Sequence, residues 1–110
     1  MTAYVPQRGD VVWIDLHPRI GHEQSGHRPA LVLSPVSYNA RRGMLIACPM
    51  TSRLKDNPFE AIVDHDPPSA VLADQVRSLD WRTRGARFKE RASAAIMAEV
   101  IGKLSVLIGA

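Results

Sequence analysis

The stretch Val11-Val12-Trp13-Ile14-Asp15-Leu16 predicts a buried β-strand, because β-branched, aromatic and other apolar residues dominate it. A second apolar run, Ala30-Leu31-Val32-Leu33, predicts the next strand and stops at Ser34-Pro35. The polar segment 17–28 lies between them, and its distal part with Pro29 has the sequence Gly-His-Glu-Gln-Ser-Gly-His-Arg-Pro. Glycine lets the chain turn, and proline biases the residue before it toward an extended conformation. We therefore expect a polar loop held between two rigid strands, which is a common place for chemistry, although a plain solvated hairpin loop is the alternative.

Further short strands are predicted downstream. Met44–Met50 forms a third strand that leads into Thr51-Ser52, Phe59–Val63 a fourth, and residues 70–81 one long bent strand or two short ones. Residues 36–43, 53–58 and 64–69 are interpreted as loops, and the basic run 82–91 as a solvated surface.

The last segment has a different period. Ser93 is a plausible N-cap, and Gly109 ends the segment. The apolar residues between them recur at steps of three and four, which predicts an amphipathic helix whose apolar face packs on the core. That face comprises Met97, Val100, Ile101, Leu104, Leu107 and Ile108.

Many short strands followed by one helix indicate a mainly β fold: a small, strongly curved antiparallel sheet or barrel, with the C-terminal helix flanking or plugging it. A chain of 110 residues forms one domain, 1–110, with one modest core. In such a fold the loops gather at one rim. The loop 17–28, the strand end at Thr51-Ser52 and the loop 53–58 are then expected to converge.

Composition bounds the function. The net charge of +3 favours a polyanionic partner without proving one, and it is concentrated in residues 1–55, which hold seven Lys/Arg and three Asp/Glu. Cys48 is the only cysteine, so an internal disulfide and a Cys-based zinc site are excluded, and we expect a small buried hydrophobe there. The four histidines lack the spacing of a helical metal site, so no metal or other cofactor is expected.

No signal peptide or membrane-spanning run is apparent, which predicts a cytoplasmic protein.

If the loops converge, Glu23, Arg28 and Thr51 face one pocket ringed by Arg41, Arg42, Arg53 and Lys55. That set suits cleavage of RNA by its own 2′-OH without metal. A carboxylate or imidazole takes the hydroxyl proton, and a guanidinium binds the phosphate oxygens. Hydroxyl and backbone N–H donors at Thr51-Ser52 complete an anion hole.

The chain also resembles the MazF/PemK family of toxin endoribonucleases from bacterial type II toxin–antitoxin systems. The motifs that carry the resemblance run in family order along essentially the whole chain. They are Gly9-Asp10-Val11-Val12-Trp13, Gly21-His22-Glu23-Gln24-Ser25-Gly26-His27-Arg28-Pro29-Ala30, Val32-Leu33-Ser34-Pro35, Tyr38-Asn39, Cys48-Pro49-Met50-Thr51-Ser52, Asn57-Pro58-Phe59-Glu60 and Val71-Leu72-Ala73-Asp74-Gln75-Val76-Arg77-Ser78-Leu79-Asp80-Trp81. The PemK branch has an arginine where this chain has Leu72, so the resemblance is to the MazF branch.

The resemblance implies an SH3-like curved barrel that acts as a homodimer and cuts single-stranded RNA at short sequences, without metal, to leave 2′,3′-cyclic phosphate and 5′-hydroxyl ends. It implies a MazE-like antitoxin partner whose acidic C-terminal tail covers the RNA site. It places the catalytic pair at Arg28 and Thr51 and the carboxylate of the same motif at Glu23. The expected RNA-binding residues are His27, Gln24, Asn39, Ser52, Arg53, Lys55, Asp74 and Gln75.

Some roles stay open at this point. Which of Glu23, His27 and Arg28 moves each proton is not decided by the sequence. Tyr38, Phe59 and Trp81 could stack on bases or pack in the core, whereas Trp13 is expected in the core. The alternative function is that of the CcdB gyrase poisons, which share the fold and grip a protein without nuclease activity. Their action depends on a terminal Trp-Gly-Ile, and this chain ends Leu107-Ile108-Gly109-Ala110.

Overall fold

A computed structural model describes residues 3–17 and 27–110. Its strands and helices are listed in chain order. They are β1 (Asp10–Asp15), β2 (His27–Val32), α1 (Val36–Arg42), β3 (Met44–Thr51), β4 (Glu60–Val63), β5 (Ser69–Leu72), a 3₁₀ turn (Ala73–Gln75), β6 (Arg77–Asp80), β7 (Arg87–Arg91) and α2 (Ala94–Ile108).

All strand pairs are antiparallel, and the strands form one curled sheet in the order β4-β5-β3-β2-β1-β7. Strand β3 joins its two halves: Met44–Ala47 pairs with β6, whereas Met50-Thr51 pairs with β5. The prediction of a mainly β, curved antiparallel fold with a C-terminal helix is confirmed, and residues 70–81 form two short strands rather than one.

The sheet is buried on both faces, which explains why its strands read as nearly continuous apolar runs. On one face Val11, Leu31, Cys48 and Met50 pack with Val100 of α2. Residues on the other face of the same three strands form a second cluster with Leu79 and Trp81. They are Val12, Ile14, Ala30, Val32, Leu45 and Ala47.

Helix α2 has the predicted ends. The Ser93 hydroxyl accepts a hydrogen bond from the Ile96 N–H at 3.1 Å, and Gly109 adopts a left-handed conformation at φ 74°. Its apolar stripe is only partly core. Val100 is buried and Met97 and Leu104 pack at its side, but the end of the stripe is exposed. The exposed apolar residues there are Ile101, Val106, Leu107 and Ile108.

One sequence interpretation was wrong. Residues 36–42 form α1 and not a loop: Pro35 takes the N-cap position and Gly43, at φ 65°, ends the helix. Residues 87–91 are mostly exposed, as expected of a solvated run, but they also form β7, which the sequence did not predict. Strand β7 pairs with β1 through a shift of register between Val11 and Val12. In the described ranges no helix has the length and apolar character needed to cross a membrane.

Candidate active site

The β2–β3 pair brings the predicted catalytic residues to one end of the sheet. The two strands run antiparallel, with Ala30 opposite Pro49 and Leu31 opposite Cys48. The start of β2, with His27 and Arg28, therefore lies beside the end of β3, with Thr51. These residues together with Ser52 line one open cleft of about 620 Å³.

The Thr51 hydroxyl has a fixed orientation. Its oxygen accepts a hydrogen bond from the backbone N–H of Arg53 at 3.0 Å, which closes a tight turn directly after β3. A hydroxyl whose oxygen already accepts from the backbone has its proton left to donate. Thr51 is half-buried, and the neighbouring Ser52 and Arg53 are exposed. Thr51 and Ser52 of this turn can present hydroxyl donors to an anion in the cleft, whereas Arg53 is not part of the lining.

Other elements also line the same cleft: Trp13 from β1, His65 and Asp66 from the β4–β5 connection, and Lys89 and Glu90 from β7. The Lys89 ammonium lies 5.5 Å from the centroid of the Trp13 ring. Trp13 is half-buried at the cleft, so the expectation of a core tryptophan was wrong. Trp13 and Asp15 share the less buried side of β1, while Val12 and Ile14 point into the core. That alternation along β1 is the sequence signal that could have indicated the half-buried position of Trp13.

The Glu90 side chain connects strand β7 to the β4–β5 connection at the cleft. Its Oε2 lies 3.0 Å from His65 Nε2 and 3.0 Å from Lys89 Nζ. Partial burial by itself would raise the pKa of the Glu90 carboxyl, but Lys89 and His65 outweigh that effect and hold the pKa below its usual value. Glu90 is therefore an ionised carboxylate at neutral pH.

The other predicted site residues lie apart from this cleft. Lys55 lines a second cleft, of about 510 Å³, where its backbone N–H and that of Asn57 donate to the buried Glu60 carboxylate. Asp74 and Gln75 lie in the 3₁₀ turn against α2, outside the cleft lining. Arg41 and Arg42 end α1 and are likewise not part of the lining. Glu23 and Gln24 fall outside the described residues.

The position of Asn39 corrects its predicted role in RNA binding. Its side chain is fully buried, and both ends of the amide are used inside the protein. Oδ1 accepts from the Ser34 hydroxyl at 2.6 Å, and Nδ2 donates to the carbonyls of Pro6 and Ser34 at 2.8 and 3.1 Å. Its backbone carbonyl accepts from the Trp81 indole at 2.9 Å, so Trp81 is a core residue as well. Asn39 joins three segments of the core and has no free group for a nucleotide.

Within the described ranges, no group of three or more His, Cys, Asp or Glu side chains is arranged to hold a metal ion. The lining holds the Arg28 guanidinium, the Lys89 ammonium, two imidazoles and the Thr51 and Ser52 hydroxyls, and it also holds the Asp66 and Glu90 carboxylates. The guanidinium, ammonium and hydroxyl donors fit an anionic ligand.

Comparison with known proteins shows the family of this chain. A family model described as a PemK-like, MazF-like toxin of type II toxin-antitoxin systems matches residues 7–108. The chain belongs to this family. The chain is 44% identical over 110 residues to the endoribonuclease toxin MazF of Escherichia coli K12, covering 99% of both chains. It is 32% identical over 108 residues to the endoribonuclease PemK of Escherichia coli, covering 93% of this chain and 81% of that one.

Solved structures extend the likeness to the fold. A crystal structure of MazF from Deinococcus radiodurans superposes with a TM-score of 0.93 at 50% identity, covering 98% of this chain and 100% of the other. A MazE–MazF complex from the same organism gives a TM-score of 0.86 at 51% identity, covering 97% and 98%. The family expected from the sequence motifs is confirmed. The higher identity to MazF than to PemK agrees with the branch expected from Leu72.

Proposed function

We propose that this chain, an endoribonuclease toxin of the PemK-like and MazF-like family, cuts single-stranded RNA at a short sequence without metal. The observation that carries the proposal is the convergence of His27, Arg28, Thr51 and Ser52 on one cleft. Messenger RNA is the substrate we expect, and loss of translation and growth the result. The family match does not favour a gyrase-binding toxin of the CcdB kind.

The proposed reaction is a transfer within the RNA strand. The 2′-oxygen attacks phosphorus, the bond from phosphorus to the 5′-oxygen breaks, and a 2′,3′-cyclic phosphate and a 5′-hydroxyl end result. Arg28 and the Thr51 hydroxyl stabilise the extra negative charge on the phosphate oxygens as it develops. One proton leaves the 2′-hydroxyl and one reaches the 5′-oxygen, and both transfers need positioned acid–base groups.

Glu23 and His27 are the two candidates for the base that takes the 2′-hydroxyl proton. Variants separate them, because removal of the true base lowers the rate by about 10²–10⁴-fold. We would compare single-turnover cleavage by Glu23→Gln and His27→Gln. The variant with the larger loss identifies the base, and equal small losses would exclude both.

The remaining RNA-binding assignments are proposals, some supported by position in the structure and others by the family motifs alone. Ser52 and Arg53 belong to the turn that Thr51 closes, and Lys55 lines a second cleft. Gln24, Asp74 and Gln75 rest on the family motifs alone. Asn39 is withdrawn, because its amide is consumed in the core.

We also propose that the chain acts in the cytoplasm as a homodimer and that a MazE-like antitoxin with an acidic tail covers the cleft. The exposed apolar end of α2, with Ile101, Leu107 and Ile108, supports a contact with a second copy. Three of the similar structures from Deinococcus radiodurans are MazE–MazF complexes. Light scattering tests the dimer, and a monomer at micromolar concentration would contradict it.

The deciding experiment is cleavage of a varied RNA pool in EDTA by the intact chain, by Arg28→Ala and by the control Arg41→Ala. Arg41 is exposed on α1 and does not line the cleft. We expect the intact chain and Arg41→Ala to cut at one motif with cyclic phosphate ends, and Arg28→Ala to be folded and inactive. No cutting by the intact chain would overturn the proposal. Unfolding of Arg28→Ala would assign Arg28 a structural role instead.

Salt provides an independent check. If Lys and Arg groups bind phosphates, rising salt weakens binding through counterion competition, so subsaturating cleavage slows between 50 and 200 mM salt. A rate that is flat in salt would contradict electrostatic capture.

A further inference from the structure

The Glu90 carboxylate lies in the cleft lining but has no role in the proposed reaction. Glu90 lines the cleft together with Arg28 and Thr51. The other carboxylate of the lining, Asp66, is exposed, whereas Glu90 is held by His65 and Lys89. A carboxylate repels phosphate, so it has no part in holding the RNA backbone. Its presence at this position calls for a different ligand group.

Glu90 is held in place from two sides. His65 Nε2 and Lys89 Nζ each lie 3.0 Å from the same oxygen, Oε2. Lys89 is itself positioned over the Trp13 ring at 5.5 Å. Among the described residues, the contacts to Glu90 end on Oε2, and its side chain is 33% exposed. Oε1 is therefore the oxygen that remains for a ligand, on a side chain whose conformation is already fixed.

We propose that Glu90 reads one base of the RNA by accepting a hydrogen bond from a donor on that base's edge. This inference rests on the proposed endoribonuclease function and adds a specificity-determining residue to it. Trp13, on the same lining, supplies an apolar wall against which the base ring packs.

The chemistry of a carboxylate predicts which bases it selects. An ionised carboxylate only accepts hydrogen bonds. Cytosine, adenine and guanine each present an exocyclic amino group that can donate to it, as a glutamate does with cytosine N4 in DNA readout. The Watson–Crick edge of uracil has a single N–H between two carbonyl oxygens, and those oxygens repel a carboxylate. Uridine should therefore be disfavoured at one position of the cleavage site.

The contacts of Glu90 with Lys89 and His65 explain how a carboxylate can accept a hydrogen bond from a base next to the RNA phosphates. Lys89 offsets the charge of the carboxylate, and the contacts with Lys89 and His65 keep it from swinging toward solvent. A preorganised acceptor loses little entropy when the base arrives. Glu90 thus discriminates between bases, while Arg28 and Thr51 act on the phosphate.

The test uses an RNA that is cut at one site, with each flanking position varied through all four bases. We would compare the intact chain, Glu90→Gln and the matched control Glu99→Gln. Glu99 carries the same charge but lies on α2 outside the cleft lining, paired with Lys103 at 3.7 Å. Circular dichroism confirms folding of each variant.

We expect the intact chain and Glu99→Gln to cut uridine about tenfold more slowly than amino-bearing bases at one position. In Glu90→Gln that ratio should approach one, because an amide both donates and accepts, while preferences at the other positions stay unchanged. A Glu90→Gln variant that keeps every ratio, or slows all sequences equally, overturns the inference and leaves the proposed function standing.

The profile of the intact chain decides the question even if Glu90→Gln fails to fold. Equal cutting with uridine at every position would overturn the inference without any variant. Absence of all cutting would instead overturn the endoribonuclease proposal, so the two failures are distinguishable.

Discussion

The hydroxyl oxygen of Thr51 accepts a hydrogen bond from the backbone N–H of Arg53 at 3.0 Å. The bond closes the turn at the end of β3 and fixes the side chain that lines the cleft beside Arg28. A threonine in this arrangement serves a bound phosphate as a donor, because its oxygen is already engaged as an acceptor.

Removal of that donor tests the role of Thr51. Thr51→Val keeps the shape of the side chain and loses the hydroxyl, so we expect cleavage at saturating RNA to fall about 10²–10³-fold, as for other single donors to a developing oxyanion. Thr51→Ser should keep most of the activity, since it can make the same turn. Equal rates for Thr51→Val and the intact chain would exclude the donor role.

Asn39 should matter for stability and not for RNA. Asn39→Ala leaves the carbonyls of Pro6 and Ser34 without their buried donor, so we expect the free energy of unfolding to fall by about 3 kcal/mol. Urea denaturation measures this. The control Asn57→Ala removes one exposed bond, from the Phe59 N–H, and should cost about 1 kcal/mol or less. Selective loss of RNA binding by a stable Asn39→Ala would contradict the burial argument.

The environment of the Tyr4 hydroxyl leads us to expect that the protein loses stability at alkaline pH. Burial and the Asp10 carboxylate, which accepts the Tyr4 hydroxyl at 2.6 Å, raise the pKa of Tyr4 far above its usual 10.0. The unfolded chain therefore releases this proton first, so the stabilisation is complete below pH 10 and is lost as pH rises above it. Tyr4→Phe should be less stable by about 1 kcal/mol at pH 8, with the difference shrinking above pH 10.

The matched control for alkaline denaturation is Tyr38→Phe, at the other tyrosine of the chain. We expect it to retain the steep fall in stability of the intact chain above pH 10. If Tyr4→Phe shows the same fall as well, Tyr4 is not the group responsible.

Cys48 should be inert while the protein is folded. It is fully buried, and burial, with a smaller effect of Asp74, raises the pKa of its thiol to about 12. Alkylation at pH 8 should be at least about a thousandfold slower than in urea, since it requires unfolding. A thiol placed on exposed α2 by Ala98→Cys should react at the rate of a free cysteine. Rapid labelling of Cys48 in the folded protein would contradict its burial.

Much of the fold could be predicted because its strands are buried on both faces and therefore stand out as apolar runs. Helix α1 was missed although Pro35 precedes it and Gly43 follows it, a pair of signals that outweighs the loop-like composition between them. Strand β7 gave no signal of its own. Its charged residues have low strand propensity, and only the pairing with β1 makes them a strand.

Some residues of the candidate site could be predicted from the sequence and others could not. Arg28 and Thr51 were found from the family motifs, and the β2–β3 pairing explains why they meet. The contact of His65 with Glu90 spans 25 residues and depends on how the β4–β5 connection lies over β7. Nothing local to either residue predicts that contact. Asn39 was misassigned because the same polar side chain suits a groove or a core, and only its hydrogen bonds distinguish the two.

The late position of β7 in the chain also bears on how a cell can make such a protein. During translation β1, β2 and β3 leave the ribosome well before residues 87–91, so a nascent chain can pair these strands while the outer edge of β1 is still open. Lys89 and Glu90 complete the cleft only when β7 reaches that edge. A cell that synthesises this protein thus meets a complete cleft lining only near the end of each round of synthesis, although the strands that carry Arg28 and Thr51 can pair earlier.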